Sequence, residues 1–276
     1  MTAEIEPSDE GVVLVGSMDP RSAPVRIGDT VRRVTGPSTD SVRALLLHLE
    51  AVGFDGAPHH LGIDDRGREV LSFIAGDVPL PPYPAWSMTD RALGDLGALV
   101  RRFHEAAASF TPPAGAAWAA DWADPTGGAA DRARTITHND LFPENVVFRD
   151  GRVVALIDFA MAAPGRPLWD VAIAAEMWGP LGDPPRRDQH PLDLDGIART
   201  GVLARGYGLE PEQAEELVDV LIEQRSRTVA NIRAEIAAGN ESWIRNWAAA
   251  GGDERAAADD AWIAAHRAAL IRSAGG

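Results

Sequence analysis

Residues 137–159 read T-H-N-D-L-F-P-E-N-V-V-F-R-D-G-R-V-V-A-L-I-D-F, and this stretch decides the fold. It places His138, Asp140 and Asn145 in the pattern H-x-D-x-x-x-x-N, and Asp158 follows thirteen residues after the asparagine. The pattern is typical of phosphoryl-transfer sites, in which one aspartate accepts the proton of the attacking hydroxyl. A downstream Asn and Asp then hold metal ions on the nucleotide phosphates.

The segment between Asn145 and Asp158 has the pattern of a β-hairpin. Two β-rich runs flank Asp150-Gly151, a dipeptide that favours a two-residue hairpin turn. Such a hairpin returns Asp158 to the neighbourhood of Asn145, where both can offer the oxygen ligands that Mg²⁺ prefers. Asp140 would then lie beside the metal site with its carboxylate free to meet a substrate hydroxyl.

The window from 138 to 172 resembles the aminoglycoside phosphotransferase and choline kinase branch of the kinase-like proteins. The resemblance is carried by H-x-D-x-x-x-x-N, by I-D-F at residues 157–159, and by P-L-W-D-V-A at residues 167–172, which is similar to the family's D-x-A element. It implies that Asp140 is the catalytic base and that Asn145 and Asp158 bind Mg²⁺. It also implies that His138 and Asp170 hold the catalytic loop in place.

The same resemblance implies a two-lobed α+β fold, and the residues outside the motif agree with it. Residues 10–34 contain three β-rich runs, and residues 39–51 have apolar positions at helical spacing. We predict an antiparallel β lobe over residues 1–76, a proline-rich hinge over residues 77–84, and a mainly helical lobe over residues 85–276.

The nucleotide side of the site departs from the family pattern, because the chain contains no lysine and all 26 basic residues are arginine. The third strand of the family carries a phosphate-binding Lys, and Arg32 and Arg33 occupy the matching place. Alternation sends them to opposite faces of a strand, and we assign the role to Arg33. Glu50, the only glutamate of the following helix, is a candidate partner for Arg33, with a solvated helix-end charge as the alternative.

The remaining nucleotide contacts are implied by the resemblance alone. The turn at residues 16–19 would cover the phosphates through Ser17, although an ordinary β-turn is the alternative. Ser72, Phe73 and Ile74 would lie beside the base of ATP or GTP, with core packing as the alternative for the two apolar residues.

Composition restricts the location and the partners. Forty-one acidic residues against 26 basic ones give a net charge of −15, which argues against nucleic-acid and anionic-membrane surfaces and suits a cationic substrate. The absence of cysteine excludes disulfides and thiolate metal sites. With neither an apolar run long enough to span a membrane nor the pattern of a signal peptide, we expect a cytoplasmic protein.

Two functions fit these observations. The first is transfer of the γ-phosphoryl group of ATP or GTP to a hydroxyl of a small molecule, such as a cationic antibiotic of the aminoglycoside type. The second is a kinase-like binding protein with impaired catalysis that gives immunity or resistance by sequestration. The intact set of Asp140, Asn145 and Asp158 favours the enzyme, and the missing lysine favours the binding protein.

Overall fold

A computed structural model describes residues 4–8, 11–14, 23–127, 135–182, 189–191 and 193–276, and at residues 4–8 it describes the backbone alone.

The N-terminal part of the described chain is an antiparallel sheet of six strands in the order β1-β2-β3-β4-β6-β5. The three runs predicted over residues 10–34 form β2, β3 and β4, and an additional strand, β1, precedes them. The strands are β1 (Glu4–Ser8), β2 (Gly11–Leu14), β3 (Val25–Ile27), β4 (Thr30–Arg33), β5 (His60–Ile63) and β6 (Glu69–Ser72).

Helix α1 (Thr39–Ala51) connects β4 to β5. Val42, Leu45, Leu46 and Leu49 recur at helical spacing, and each is at most 2% exposed. Burial of this stripe fixes the rotation of the helix, and it leaves Glu50 on the exposed side.

The sheet is joined to the rest of the molecule just after β6. The Asp77 amide donates to the Phe148 carbonyl at 2.8 Å, and the Phe148 amide donates to the Asp77 carbonyl at 2.8 Å. These two bonds fasten the start of the predicted hinge to strand β8 (Val146–Arg149). The boundaries at residues 76 and 84 stay a prediction.

The C-terminal part carries the catalytic motif on short strands packed against helices. β7 (Thr135–Thr137) pairs with β10 (Ala163–Gly165), and β8 pairs with β9 (Arg152–Leu156), all antiparallel. The helices are α2 (Asp90–Ala107), α3 (Pro167–Trp178), α4 (Gly196–Tyr207), α5 (Ala214–Ala237), α6 (Glu241–Ala249) and α7 (Gly252–Gly275). None of the described helices is both long and apolar enough to cross a membrane.

Close contact between α2 and α4 depends on glycine. A Cβ atom added at Gly97 would lie 2.7 Å from the Leu203 carbonyl oxygen, and one at Gly206 would lie 2.4 Å from the Gly94 carbonyl oxygen. The two helices therefore touch backbone to backbone. The C-terminal half of α2 lies against β7, where the Thr135 hydroxyl donates to the His104 carbonyl at 3.0 Å.

Candidate active site

The loop formed by residues 138–145 is held from behind by one buried carboxylate. Asp170, in the first turn of α3, is 0% exposed. Its Oδ2 accepts from the His138 amide at 2.7 Å, and its Oδ1 accepts from the Asn139 amide at 2.8 Å. A carboxylate that accepts two backbone N–H groups fixes the start of the loop more firmly than a neutral acceptor would.

Two further residues extend this support, and the sequence reading missed them. His104 of α2 lies with Nε2 3.0 Å from Asp170 Oδ2 and with Nδ1 3.0 Å from the Tyr207 hydroxyl. Both side chains are buried. A lone histidine on a helix gives no sign of such a partner, which lies 66 residues away in the chain.

Asn139 takes the backbone conformation that turns the loop. Its φ is +63°, in the left-handed region, where Asn is tolerated better than most other residues. Its Nδ2 donates to the Met161 carbonyl at 2.9 Å, and its Oδ1 accepts from the Thr137 hydroxyl at 3.0 Å. These bonds compensate for the strained backbone.

His138 lies inside the protein and does not reach solvent. Its Nε2 is 3.0 Å from the Ile157 carbonyl oxygen and therefore carries the proton. Burial lowers the pKa of His138, against the opposing effect of the Asp170 charge, which keeps the ring neutral at physiological pH. The ring ties the loop to the end of β9 and is not placed to act on a substrate in the cleft.

Asp140 is the half-buried carboxylate at the front of the loop. Asn145 Nδ2 donates to Asp140 Oδ2 at 2.7 Å and to the Asp140 carbonyl oxygen at 2.9 Å. Burial, followed by the negative charge of Asp158, raises the pKa of Asp140 to about 7, although the bond from Asn145 acts in the opposite direction. A carboxyl with this pKa is matched to proton transfer near neutral pH.

The β8–β9 hairpin brings Asp158 to this loop, as the turn signal predicted. Asp150 and Gly151 both have positive φ, at 52° and 72°, and the Ile157 amide donates to the Asn145 carbonyl oxygen at 2.9 Å. Asp158 follows in the left-handed conformation, with φ of 60°, and its side chain is 42% exposed. Asp140, Asn145 and Asp158 are thus brought into one neighbourhood.

The donor atoms here fit Mg²⁺. Asn145 makes both of its side-chain hydrogen bonds through Nδ2, so the amide oxygen is the atom left to ligate, and Asp158 adds a carboxylate. Among the described residues, no group of three or more His, Cys, Asp or Glu is arranged to hold a metal ion. An amide oxygen and a carboxylate match the one or two protein oxygens that Mg²⁺ usually binds together with phosphate and water.

Arg33 contacts Asp158 across the cleft. Its Nη1 is 2.6 Å from Asp158 Oδ1, and its Nε is 3.4 Å from Glu69 Oε2. Arg32 points the other way, towards Thr30 and Asp64. The candidate Arg33 therefore lies on the face that looks into the site, as strand alternation requires.

Glu50 is not the partner of Arg33, contrary to that candidate reading. Its carboxylate pairs with His59 at 3.0 Å, and both side chains are 48% exposed. The position near the end of α1 directs it to solvent. The carboxylate beside Arg33 in the sheet is Glu69, which the sequence reading did not single out.

The predicted base-binding residues lie at the end of β6 and directly after it. Ser72 Oγ accepts from the His59 amide at 2.8 Å, the Phe73 amide donates to the Asp29 carbonyl at 2.9 Å, and the Arg26 guanidinium lies 3.7 Å from the centre of the Phe73 ring. Ile74 is half-buried. Their contact with a nucleotide base stays a prediction. Ser17 lies outside the described residues.

The loop has a second acidic side chain, Glu144, which the sequence reading also passed over. The Tyr83 hydroxyl donates to Glu144 Oε2 at 2.9 Å, and burial raises the pKa of both groups. Trp178, at the end of α3, donates from Nε1 to the Leu141 carbonyl at 2.9 Å. These contacts hold the loop against the hinge on one side and against α3 on the other.

The sequence of the chain is similar to those of known phosphotransferases and of an immunity protein. The model of the "Phosphotransferase enzyme family" matches residues 114–203, which include the whole motif. The trifolitoxin immunity protein of Rhizobium leguminosarum bv. trifolii is 38% identical over 210 residues, covering 73% of this chain and 76% of that protein. A homoserine kinase of Gluconacetobacter diazotrophicus is 28% identical over 170 residues, covering 58% of this chain and 48% of the enzyme.

The fold is confirmed by comparison with solved structures. The GDP complex of aminoglycoside 2'-phosphotransferase-IIIa aligns with a TM-score of 0.57 at 14% identity, covering 95% of this chain and 92% of that one. At this identity the match concerns the fold alone. It confirms the predicted two-lobed kinase-like architecture, with an antiparallel sheet in the N-terminal part and helices in the C-terminal part.

Proposed function

The chain belongs to the phosphotransferase enzyme family, and we propose that it transfers the γ-phosphoryl group of ATP or GTP to a hydroxyl of a small molecule. The observation that carries the proposal is the grouping of three side chains: the Asp140 carboxylate accepts from Asn145 Nδ2 at 2.7 Å, and the β8–β9 hairpin returns Asp158 to the same loop. Asp140 lies at the front of this loop, which Asp170 holds from behind.

Each residue of the site has a distinct role in this proposal. Asp140 orients the acceptor hydroxyl and takes its proton as the new oxygen–phosphorus bond forms and the bond between the γ-phosphorus and the β-phosphate oxygen breaks, which releases ADP or GDP. Asn145 and Asp158 would hold Mg²⁺. When bound, the ion supplies positive charge that stabilises the charge developing on the phosphates. Arg33 binds the phosphates from the sheet, Ser17 covers them, and Ser72, Phe73 and Ile74 line the place of the base.

We further propose that the acceptor is a toxin or antibiotic with a hydroxyl group. A relative that covers most of the chain is named as an immunity protein against trifolitoxin, and the net charge of −15 suits a cationic compound. The homoserine kinase relative acts, by its name, on a small hydroxylated molecule. A cytoplasmic location, where ATP and GTP are available, is part of the proposal, and neither nucleic acid nor membrane is a partner.

The second candidate is immunity by sequestration without phosphoryl transfer. Two observations favour it: the name of the immunity relative, and the replacement of the usual phosphate-binding lysine by arginine. In this case the acceptor binds in the cleft and is released unchanged. The two candidates differ in whether nucleotide is consumed when the acceptor is present.

A panel assay separates them. Purified protein is incubated with Mg²⁺ and either ATP or GTP, together with aminoglycosides, other hydroxylated antibiotics, basic peptides or homoserine. Nucleotide consumption is followed, and products are identified by mass spectrometry. We expect one acceptor class to be phosphorylated, and we expect Asp140→Ala to abolish turnover while Mg-nucleotide binding persists. Acceptor binding with no product in the wild type would favour sequestration.

A further inference from the structure

Glu69 is a buried carboxylate without a hydrogen bond. It is 0% exposed, and neither of its carboxylate oxygens has a hydrogen-bond partner among the described residues. The two nearest cationic or titratable nitrogens are Arg33 Nε, 3.4 Å from Oε2, and His60 Nε2, 3.9 Å from Oε1. A buried carboxylate is costly unless it is paired and hydrogen-bonded, so this position calls for a physical reason.

The register of the sheet gives Glu69 its place. Arg33 of β4 and Glu69 of β6 are direct partners in the antiparallel pairing, so their side chains lie on the same face of the sheet. This is the face from which Arg33 reaches Asp158. The guanidinium therefore lies between two carboxylates, Glu69 from the sheet and Asp158 from the segment that follows β9.

Arg33 is hydrogen-bonded to Asp158 but lies farther from Glu69. Its Nη1 is 2.6 Å from Asp158 Oδ1, whereas its Nε is still 3.4 Å from Glu69 Oε2. A guanidinium forms its strongest pairs as a two-pronged fork on a single carboxylate. A shift of roughly 0.5 Å would bring Nε to the usual distance of a charged hydrogen bond on Glu69.

We propose that Glu69 is the positioning residue for Arg33, and that Arg33 exchanges Asp158 for Glu69 when Mg-nucleotide binds. This inference rests on the proposed function, since a Mg²⁺ ion bound by Asp158 and the Arg33 guanidinium, 2.6 Å from its Oδ1, would compete for the negative charge of one carboxylate. The Arg33 guanidinium then leaves Asp158 Oδ1 and donates hydrogen bonds to the carboxylate oxygens of Glu69. Its remaining N–H groups are then directed at the phosphates.

In this arrangement Arg33 needs no carboxylate from helix α1. Glu50 is paired with His59 at the surface and not with Arg33. The strand β6 supplies the acid instead, through a cross-strand pair that is built into the sheet. Because Glu69 and Arg33 lie on adjacent strands, the ion pair that positions Arg33 for phosphate binding forms without any movement of α1.

A double-mutant cycle tests the role of Glu69. The dissociation constant for Mg-ATP, or Mg-GTP if that is the donor, is measured by calorimetry for wild type, Glu69→Gln, Arg33→Met and the double variant. We expect each single change to weaken binding about 10-fold, as for loss of one charge-assisted hydrogen bond. The double variant should be no weaker than the weaker single one.

The matched control is Glu50→Gln, which removes the helix carboxylate and should leave nucleotide affinity unchanged. Melting temperatures verify that each variant is folded, and Glu69→Asp replaces Glu69→Gln if the latter does not fold. Nucleotide binding by Glu69→Gln at the wild-type level, or losses that multiply in the double variant, would overturn the proposal while leaving the proposed function intact. Failure of the wild type to bind Mg-nucleotide would overturn both.

The exchange of partners has its own readout. The Arg33 Nε–H resonance is assigned by comparison with Arg33→Met and followed by NMR in ¹⁵N-labelled protein. We expect Mg-ADP to shift this resonance and slow its exchange with solvent as the Nε–H group bonds to Glu69, and we expect Glu69→Gln to abolish both effects. A resonance that Mg-ADP leaves unchanged in the wild type, with binding verified by calorimetry, would refute the exchange.

Discussion

Replacing Asp140 by asparagine should stabilise the protein while it abolishes phosphoryl transfer. Burial and the charge of Asp158 raise the pKa of Asp140 from its ordinary value of 3.8 to about 7. Ionising this group in the folded protein therefore costs free energy. Asparagine has nearly the same shape, and its Oδ1 can accept the hydrogen bond that Asn145 Nδ2 now donates to the carboxylate.

The size of the effect follows from proton linkage. Between about pH 4 and pH 7 the unfolded chain has lost the Asp140 proton and the folded protein retains it, so stability falls as the pH rises through this window. The rise of the Asp140 pKa from 3.8 to about 7, at about 1.4 kcal/mol for each tenfold change in acidity, corresponds to a loss of stability of about 4 kcal/mol above pH 7. At pH 5 only about 1 to 2 kcal/mol of this cost is present.

The assay is urea unfolding followed by circular dichroism, with EDTA present, at pH 5 and pH 8. We expect Asp140→Asn to exceed the wild type in free energy of unfolding by about 4 kcal/mol at pH 8 and by about 1 to 2 kcal/mol at pH 5. Asp150→Asn, in the exposed hairpin turn, is the control and should match the wild type at both pH values. A difference that is absent at pH 8, or equal at the two pH values, would refute the reasoning.

Three further changes test the support of the site. Asp170→Asn places an amide NH₂ beside the His138 and Asn139 amides, which already donate. The free energy of unfolding, measured by urea titration, should therefore fall by roughly 3 kcal/mol. An unchanged free energy would contradict these hydrogen bonds. Asn139→Ala should be less stable than Asn139→Gly by about 1 kcal/mol, because only glycine relieves a φ of +63°; the reverse order would contradict this. Gly97→Ala should lower the melting temperature, because its Cβ meets the backbone of α4 and costs about 1 to 3 kcal/mol of stability. Gly94→Ala, whose Cβ meets open space, should raise the melting temperature. Equal shifts for the two variants would exclude the close contact between α2 and α4.

Much of the fold could be predicted because the sequence carries strong local signals. The helical spacing of Val42, Leu45, Leu46 and Leu49 located α1, and Asp150-Gly151 located the hairpin. These features depend on neighbours within a few residues. Strand β1 escaped prediction because its sequence, E-I-E-P-S, contains a proline and only one strongly apolar residue.

The contacts that the sequence did not reveal are those between distant elements. The pairing of Glu69 with Arg33 depends on the register of β6 against β4, which no local pattern fixes. The bond of His104 to Asp170 depends on how α2 packs against α3. Glu50 was a candidate because the family places an acid in this helix, but its side of the helix faces solvent.

We propose that Asp140, Asn145 and Asp158 form one site for a metal-bound nucleotide, and a crystal structure with Mg²⁺ and a non-hydrolysable ATP or GTP analogue would show the nucleotide in place. We predict a metal ion ligated by Asn145 and Asp158, with the Asp140 carboxylate facing the terminal phosphate. A nucleotide bound elsewhere, or bound here with no metal contact to either residue, would contradict it.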